Sequence, residues 1–157
     1  MENESVQKIS WQSDFATGVG IIDDQHRVLI TMLNDANAKL TDRSPLEDLG
    51  RIVQGLLSYA GYHFQTEERL MTEHGYDTGP SARAPEHINK HRGFAEKVVA
   101  VQEQIKAGQR IPKKDLVDFL TDWLTDHILR TDKELGAFIC ERRLGQDRGI
   151  EHELQDR

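Results

Sequence analysis

The sequence has very little cysteine and few aromatic residues, and each shortage limits the kinds of fold and site that the chain can form. Cys140 is the only cysteine among 157 residues, so an intrachain disulfide and a thiolate metal cluster are both excluded. We interpret Cys140 as a buried structural thiol and expect the chain to work in the reducing cytoplasm. Aromatic residues make up only 6% of the chain and charged residues 30%, while most apolar residues recur at helical spacing. This composition favours a single helical domain.

Long apolar runs and clusters of basic residues are also missing. No apolar run approaches the roughly 20 residues of a membrane-spanning helix, and Met1-Glu2-Asn3-Glu4 lacks the basic and then apolar start of a signal peptide. The net charge is −7, with acidic and basic residues interspersed. Nucleic-acid-binding surfaces present clustered Lys and Arg. We therefore expect no membrane span and no nucleic-acid partner. As a separate expectation, we take the chain to be a monomer or weak oligomer.

The clearest helix start lies at Ser44-Pro45-Leu46-Glu47. With the serine as N-cap, the proline as first helical residue and the glutamate three residues after the serine, this segment matches a capping box. The helix that begins here is predicted to run to about Glu73, with Gly75 as its stop.

Similar signals place three more helices. The first is predicted to begin near Ile22 or Asp23, the third to run from Pro85 to Gly108, and the fourth to begin at Pro112. Because short connections make consecutive helices antiparallel neighbours, the predicted fold is all-α, an up-down-up-down four-helix bundle.

Both ends of the chain are predicted to lie outside these helices. Residues 1–20 are interpreted as an extended arm, and 137–143 as one more short helix. The polar, highly charged segment 145–157 is predicted to be a disordered tail, so that the domain spans 1–144. The candidate anchors of the arm are Trp11, Phe15 and Val19.

Polar residues interrupt the apolar stripe of every predicted helix. In the second helix, His63 and Glu67 lie four residues apart, which separates their side chains by only about 40° around the axis. Their face also carries Leu56 and Leu70, and a carboxylate buried there needs a charge or a metal as its partner. Five of the seven histidines lie on such core faces, namely His26, His63, His87, His91 and His127.

Five imidazoles in one small core indicate a metal site. A single histidine on an apolar face is more often a hydrogen-bonded core residue, but packing does not explain five, since each has polar nitrogens to satisfy. With Glu67, and with Asp132 shortly after His127, the set offers five imidazoles and two carboxylates. Such ligands suit borderline metals such as iron, and seven are too many for one tetrahedral zinc.

Asp132 departs from simple helical geometry. It follows His127 by five residues, or about 140° around an ideal helix, so the two side chains should not point alike. Either a π-type turn that widens the helix or a bend at its end would bring them together. The alternative carboxylates nearby are Asp122, Asp126 and Glu134.

These motifs resemble those of the hemerythrin family, specifically its single-domain bacteriohemerythrins. The resemblance covers roughly residues 10–140, and all seven ligand positions of the family are filled in order and at the family spacing. Its residues are Trp11, Val19-Gly20-Ile21, Asp23-Asp24-Gln25-His26, His63-x-x-x-Glu67, His87-x-x-x-His91, Trp123-Leu124 and His127-x-x-x-x-Asp132.

The resemblance implies a non-haem di-iron centre with an oxo or hydroxo bridge. One iron would then be left with an open coordination position, at which dioxygen binds. The ligands implied are His87, His91 and His127 for the first iron, His26 and His63 for the second, and Glu67 and Asp132 as bridges.

The function implied is reversible dioxygen binding for oxygen transport, storage or delivery, by a protein that is not an enzyme. The resemblance also implies an oxygen pocket in which no side chain is an acid, which favours a carrier over an oxidase. Two alternatives remain open: a sensor module for oxygen or nitric oxide, and a di-iron enzyme that turns over peroxide or nitric oxide. The pocket residues implied are Phe64, Trp123, Leu124 and Ile128.

Overall fold

The structure is a computed structural model that describes residues 9–78 and 82–155, and none of these residues lies in a strand. Four helices form an antiparallel bundle, as predicted for this all-α chain. The fourth continues through a π-helical segment into a fifth helix. The elements are α1 (Gly20–Lys39), α2 (Leu46–Glu73), α3 (Ala84–Lys106), α4 (Lys113–Asp126), the π-helical segment (His127–Asp132) and α5 (Lys133–Gln155).

Two predicted helix ends are confirmed by backbone geometry. Gly75 follows the end of α2 and Gly108 follows the end of α3, with φ angles of +75° and +85°. This left-handed conformation is open to glycine without the steric penalty that a side chain brings. These glycines therefore end their helices as the sequence indicated.

The predicted capping box at the start of α2 is wrong. The helix begins at Leu46, Pro45 takes the N-cap position, and no side chain caps the helix. The Ser44 hydroxyl lies one residue too early and instead accepts a hydrogen bond from the Thr41 amide at 2.8 Å. The start of α1 also differs, since this helix begins at Gly20, two residues before the predicted start.

The described part of the N-terminal arm, from residue 9, lies along α1. The Asn34 side chain holds Ile9 by accepting from its amide at 2.9 Å and donating to its carbonyl at 2.7 Å. Asp23 accepts hydrogen bonds at 2.8 Å from both the amide and the hydroxyl of Thr17. Two predicted anchors, Phe15 and Val19, are buried, and Trp11 is half-buried beneath the guanidinium of Arg27. Residues 1–8 of the predicted arm lie outside the described residues.

Two apolar clusters fill the bundle, one towards each end. The first cluster includes Leu33, Leu56, Phe94 and Leu120, and the second includes Ile22, Leu70, Ala84 and Leu135. Along each of the four helical runs, the polar core residues singled out above lie where the first cluster gives way to the second. The bundle therefore holds a polar layer with apolar packing above and below it along the helices. Among the described residues no helix has the length and apolar character needed to cross a membrane.

The C-terminal region differs from the prediction. Instead of a separate short helix at 137–143 followed by a disordered tail, α5 runs without a break to Gln155; residues 156 and 157 lie outside the described part. Gly136 lies inside this helix because the arm crosses it closely: a Cβ at this position would collide with the Thr17 carbonyl oxygen and lie 2.7 Å from the Thr17 Cβ. This glycine permits helix–arm packing and does not end the helix.

Two helical glycines should respond in opposite ways to alanine. Gly93 in α3 has open space where a Cβ would stand, so Gly93→Ala should stabilise the chain by about 0.5–1 kcal/mol through helix propensity. Gly136→Ala should destabilise it by about 1–3 kcal/mol because the arm must move. Urea unfolding of both variants measures the free energies. Equal effects of the two changes would contradict the packing described for Gly136.

Candidate metal centre

All seven residues singled out from the sequence meet in the polar layer of the bundle. α1 contributes one, α2 and α3 two each, and the π-helical segment two. None is more than 3% exposed, although each carries polar atoms. The seven are His26, His63, Glu67, His87, His91, His127 and Asp132.

The π-helical segment brings Asp132 into the layer. It begins at His127 and ends at Asp132, so the two residues stand one wide turn apart instead of about 140° apart. Of the two geometries considered for this spacing, the π-type turn is the one found. The alternative carboxylates lie outside: Asp122 is exposed, and Asp126 and Glu134 form surface ion pairs with Arg130 and Arg83.

Each carboxylate divides its two oxygens between two groups of imidazoles. Glu67 Oε1 lies 2.5 Å from His63 Nε2, while its Oε2 lies 2.8 Å from His87 Nε2 and 3.2 Å from His91 Nε2. The same division holds for Asp132, whose Oδ2 lies 2.7 Å from His26 Nε2 and whose Oδ1 lies 3.0 Å from His87 Nε2. The two carboxylates thus connect two neighbouring groups of nitrogen atoms.

The larger group consists of three imidazoles whose Nε2 atoms converge. His127 Nε2 lies 3.0 Å from His91 Nε2 and 3.2 Å from His87 Nε2. Each such contact, as a hydrogen bond, needs one nitrogen to donate and the other to accept. Three nitrogens facing one point together with carboxylate oxygens are arranged as ligands of a cation would be. The two groups that could each hold an ion are Glu67, His87, His91, His127 and Asp132, and His26, His63, Glu67 and Asp132.

The smaller group contains a contact that needs a positive charge. Gln25 Nε2 donates to Thr66 Oγ1 at 3.0 Å, which leaves Gln25 Oε1 to accept from His63 Nδ1 at 2.7 Å. A neutral His63 therefore presents a lone pair at Nε2, directly against Glu67 Oε1. His63 Nε2 and both Glu67 oxygens have no hydrogen-bond partner. A proton or a metal ion must lie between them, so the donor set fits a bound cation.

Protons take this role when no metal is bound. Burial lowers the pKa of His63 and His127, but the charge of Glu67 raises the pKa of His63 to about 9, and that of Asp132 raises the pKa of His127 to about 10. Burial raises the pKa of both carboxyls, yet the surrounding imidazoles hold each well below its usual value. His91 differs, because burial lowers its pKa to about 4.

Comparison with known proteins places this arrangement in a family. The family model described as the hemerythrin HHE cation binding domain matches residues 17–139. The chain belongs to the hemerythrin family. It is 30% identical to the bacteriohemerythrin of Methylococcus capsulatus over 82% of this chain and 94% of that protein, and 33% identical to that of Stenotrophomonas maltophilia over 78% and 76%. A wild-type hemerythrin crystal structure matches with a TM-score of 0.74 at 28% identity, covering 83% of this chain and 97% of that chain.

An apolar cavity of about 30 Å³ adjoins the layer in this hemerythrin. Three of the four predicted pocket residues line it: Phe64, Trp123 and Leu124. The fourth, Ile128, does not line it and instead packs beneath the arm with Phe15 and Ile30. The remaining lining residues are Leu29, Leu33, Leu56, Ala60, Phe94 and Leu120.

Two aromatic rings lie between the cavity and the imidazoles. Phe64 stacks on His91 with ring centroids 3.9 Å apart, and Trp123 stacks on His127 at 4.4 Å. Leu29 lies one turn after His26 in α1, so the cavity also extends towards the group with fewer imidazoles. The layer is therefore shielded from water on this side.

Sequence reasoning missed Gln25 and Thr66 as parts of the site. Both are buried polar residues, and together they orient His63 by fixing which of its ring nitrogens carries the proton. Thr66 lies three residues after His63 on the same face of α2, which is a usable signal. Gln25 has no such signal, since its partner is 38 positions away in the chain.

The metal-free chain should lose stability between about pH 7 and pH 10. The pKa values of His63 and His127 are raised in the fold, so their protonated forms stabilise it fully below the ordinary value of 6.5, and this contribution is lost as the pH rises through about 9 and about 10. Thermal unfolding of chelator-treated protein from pH 6.5 to 10.5 measures the loss. Metal-loaded protein is the control, since its imidazoles bind as neutral ligands throughout; equal pH profiles for both forms would contradict the account.

Proposed function

We propose that this hemerythrin binds dioxygen reversibly at two iron ions, for oxygen transport, storage or delivery. The observation that carries the proposal is the division of oxygens in Glu67 and Asp132, since each carboxylate faces two separate groups of imidazoles. Two ions, one held by each group with both carboxylates shared, would give a partner to the inward-facing atoms that lack a hydrogen bond: His63 Nε2, both Glu67 oxygens and Asp132 Oδ1.

The two ion positions are unequal in protein ligands. His87, His91 and His127 would hold one ion, and His26 and His63 the other, with both carboxylates shared. The second position therefore has one imidazole fewer, and Leu29 and Ala60 bring the apolar cavity towards it. Imidazole with carboxylate suits iron, and the unequal coordination supports an open position for a small ligand.

Such an iron pair supplies, when bound, the electrons that allow dioxygen to bind reversibly. The protein's own contribution is to keep water and protons away. Phe64, Trp123 and Leu124 cover the layer with apolar surface, and no side chain that lines the cavity is an acid. A site without a proton donor favours release of dioxygen over its reduction, so we propose binding and not catalysis as the function.

Anaerobic reduction followed by exposure to oxygen tests this function. The visible spectrum should gain a charge-transfer band with oxygen and lose it on degassing, with two irons per chain by elemental analysis. Iron that oxidises directly to a stable ferric form, with no oxygen-dependent band, would overturn the proposal and favour a sensor or an enzyme.

Glu67→Ala should lower the iron content towards one ion per chain or none. The change removes a carboxylate that both imidazole groups share, and it leaves the second group with two imidazoles and Asp132. Iron per chain after reconstitution measures the effect. Glu68→Ala is the matched control, because Glu68 is the next residue in α2 and lies outside both groups. Two irons in the Glu67 variant would show that Glu67 is not a bridge.

Leu124→Ala should speed autoxidation about tenfold. Leu124 is half-buried and lines the apolar cavity, so its truncation enlarges the cavity and lets water approach the layer. The decay of the oxygen-dependent band measures the rate. Leu116→Ala is the control, since Leu116 is a buried leucine of the same helix that does not line the cavity. Equal rates in the two variants would count against the cavity as the oxygen pocket.

A further inference from the structure

A second, polar cleft of about 430 Å³ lies on the other side of the seven-residue layer, between α3 and the start of α5. Charged and hydroxyl side chains line it, in contrast to the apolar cavity. Of the seven residues in the layer, His87 is the one that lines this cleft. Three cationic side chains and two carboxylates line it, together with His87 and two hydroxyl residues: Arg83, Lys90, Arg130, Glu86, Glu134, Tyr76 and Thr131.

The His87 ring separates the cleft from the two carboxylates. Its Nε2 faces inwards, 2.8 Å from Glu67 Oε2 and 3.0 Å from Asp132 Oδ1. The opposite edge of the ring carries Nδ1, which has no hydrogen-bond partner although the residue is only 2% exposed. The Nδ1 atoms of His26, His91 and His127 also lack a partner, but of these four rings His87 is the one on the wall of the polar cleft, where a ligand can reach it.

The apolar cavity and the polar cleft differ in whether a divalent cation can cross them to reach the layer. A divalent cation that crossed the cavity of Leu29, Phe64 and Leu124 would lose its water to apolar surface, and that desolvation is prohibitive. The polar cleft offers carboxylate and hydroxyl oxygens in place of water. It ends at an imidazole that faces both carboxylates of the layer on its other edge.

We propose that this cleft is the route by which divalent metal ions reach the centre, with Glu86 and Glu134 as transient oxygen ligands and the His87 ring as the gate. The inference rests on the proposed metal centre, and it concerns how the ions arrive and not what they do there.

Two contacts link the walls of the cleft and restrain this gate. The Lys90 ammonium donates to Thr131 Oγ1 at 3.0 Å, joining α3 to the π-helical segment. Arg83 pairs with Glu134 at 3.0 Å, joining the start of α3 to α5. The Arg83 pair is well exposed and so opens at little cost. Lys90 is also exposed, but its ammonium is held by the buried Thr131 and places a positive charge on the path. Lys90 should therefore slow the arrival of a cation.

The test is the rate at which the metal-free full-length chain takes up Co²⁺, followed by its visible bands. Glu86→Gln should slow uptake about three- to tenfold and Lys90→Met should speed it by a similar factor, because one charge changes along the path of a divalent ion. Both differences should shrink in about 0.5 M salt, and the final cobalt content per chain should stay at the wild-type value. Glu96→Gln and Lys106→Met are matched controls, exposed positions of the same helix away from the cleft.

Equal uptake rates in Glu86→Gln, Lys90→Met and wild type would overturn the route. The ion would then enter through opening of the bundle, and the destabilising Gly136→Ala would speed uptake instead. Circular dichroism of each metal-free variant shows whether it is folded before mixing. A wild-type chain that binds no cobalt at equilibrium would overturn the metal centre itself, so failure of the centre and failure of the route give different results.

Discussion

Two fully buried carboxylates constrain the whole structure. Glu67 and Asp132 are inaccessible to water, and an ionised carboxylate in such a place is costly unless positive charge surrounds it. That compensation comes from imidazoles on all four helical runs, so every helix must present a particular residue at one level of the bundle. This requirement also fixes how the apolar clusters line up, because the same helices carry both the clusters and the polar layer.

The π-helical segment satisfies two requirements that a regular helix cannot meet together. His127 and Asp132 must face the same layer, while Leu120 before them and Leu135 after them must face the two apolar clusters. The wide turn brings the five-residue pair onto one face, and regular helix resumes at Lys133 with Leu135 and Ile139 fully buried. Irregular backbone is thus placed at the site and nowhere else in the described bundle helices.

The layer has an apolar side and a polar side, and the two sides suit different ligands. Phe64 and Trp123 stack on imidazoles and present a cavity without charge, which suits a small uncharged gas. The opposite side ends at His87 among carboxylates, hydroxyls and ammonium groups, which suits an ion that travels with water. Under the two proposals made above, this separation would let the centre accept metal without opening its apolar side.

The sequence by itself determined the four bundle helices, the glycine stops after α2 and α3, and six of the seven polar core residues. Helical periodicity allows this because it reports directly which residues share a face. The sequence did not decide how Asp132 reaches the layer, because two residues five apart do not share a face of a regular helix. A π-type turn and a bend both remained possible. Only the tertiary structure decided that choice. It also decided that Gln25 contacts His63, that α5 continues without a break at Gly136, and that Ile128 packs beneath the arm. Periodicity shows that a face is buried, but which faces meet depends on contacts between residues far apart in the chain.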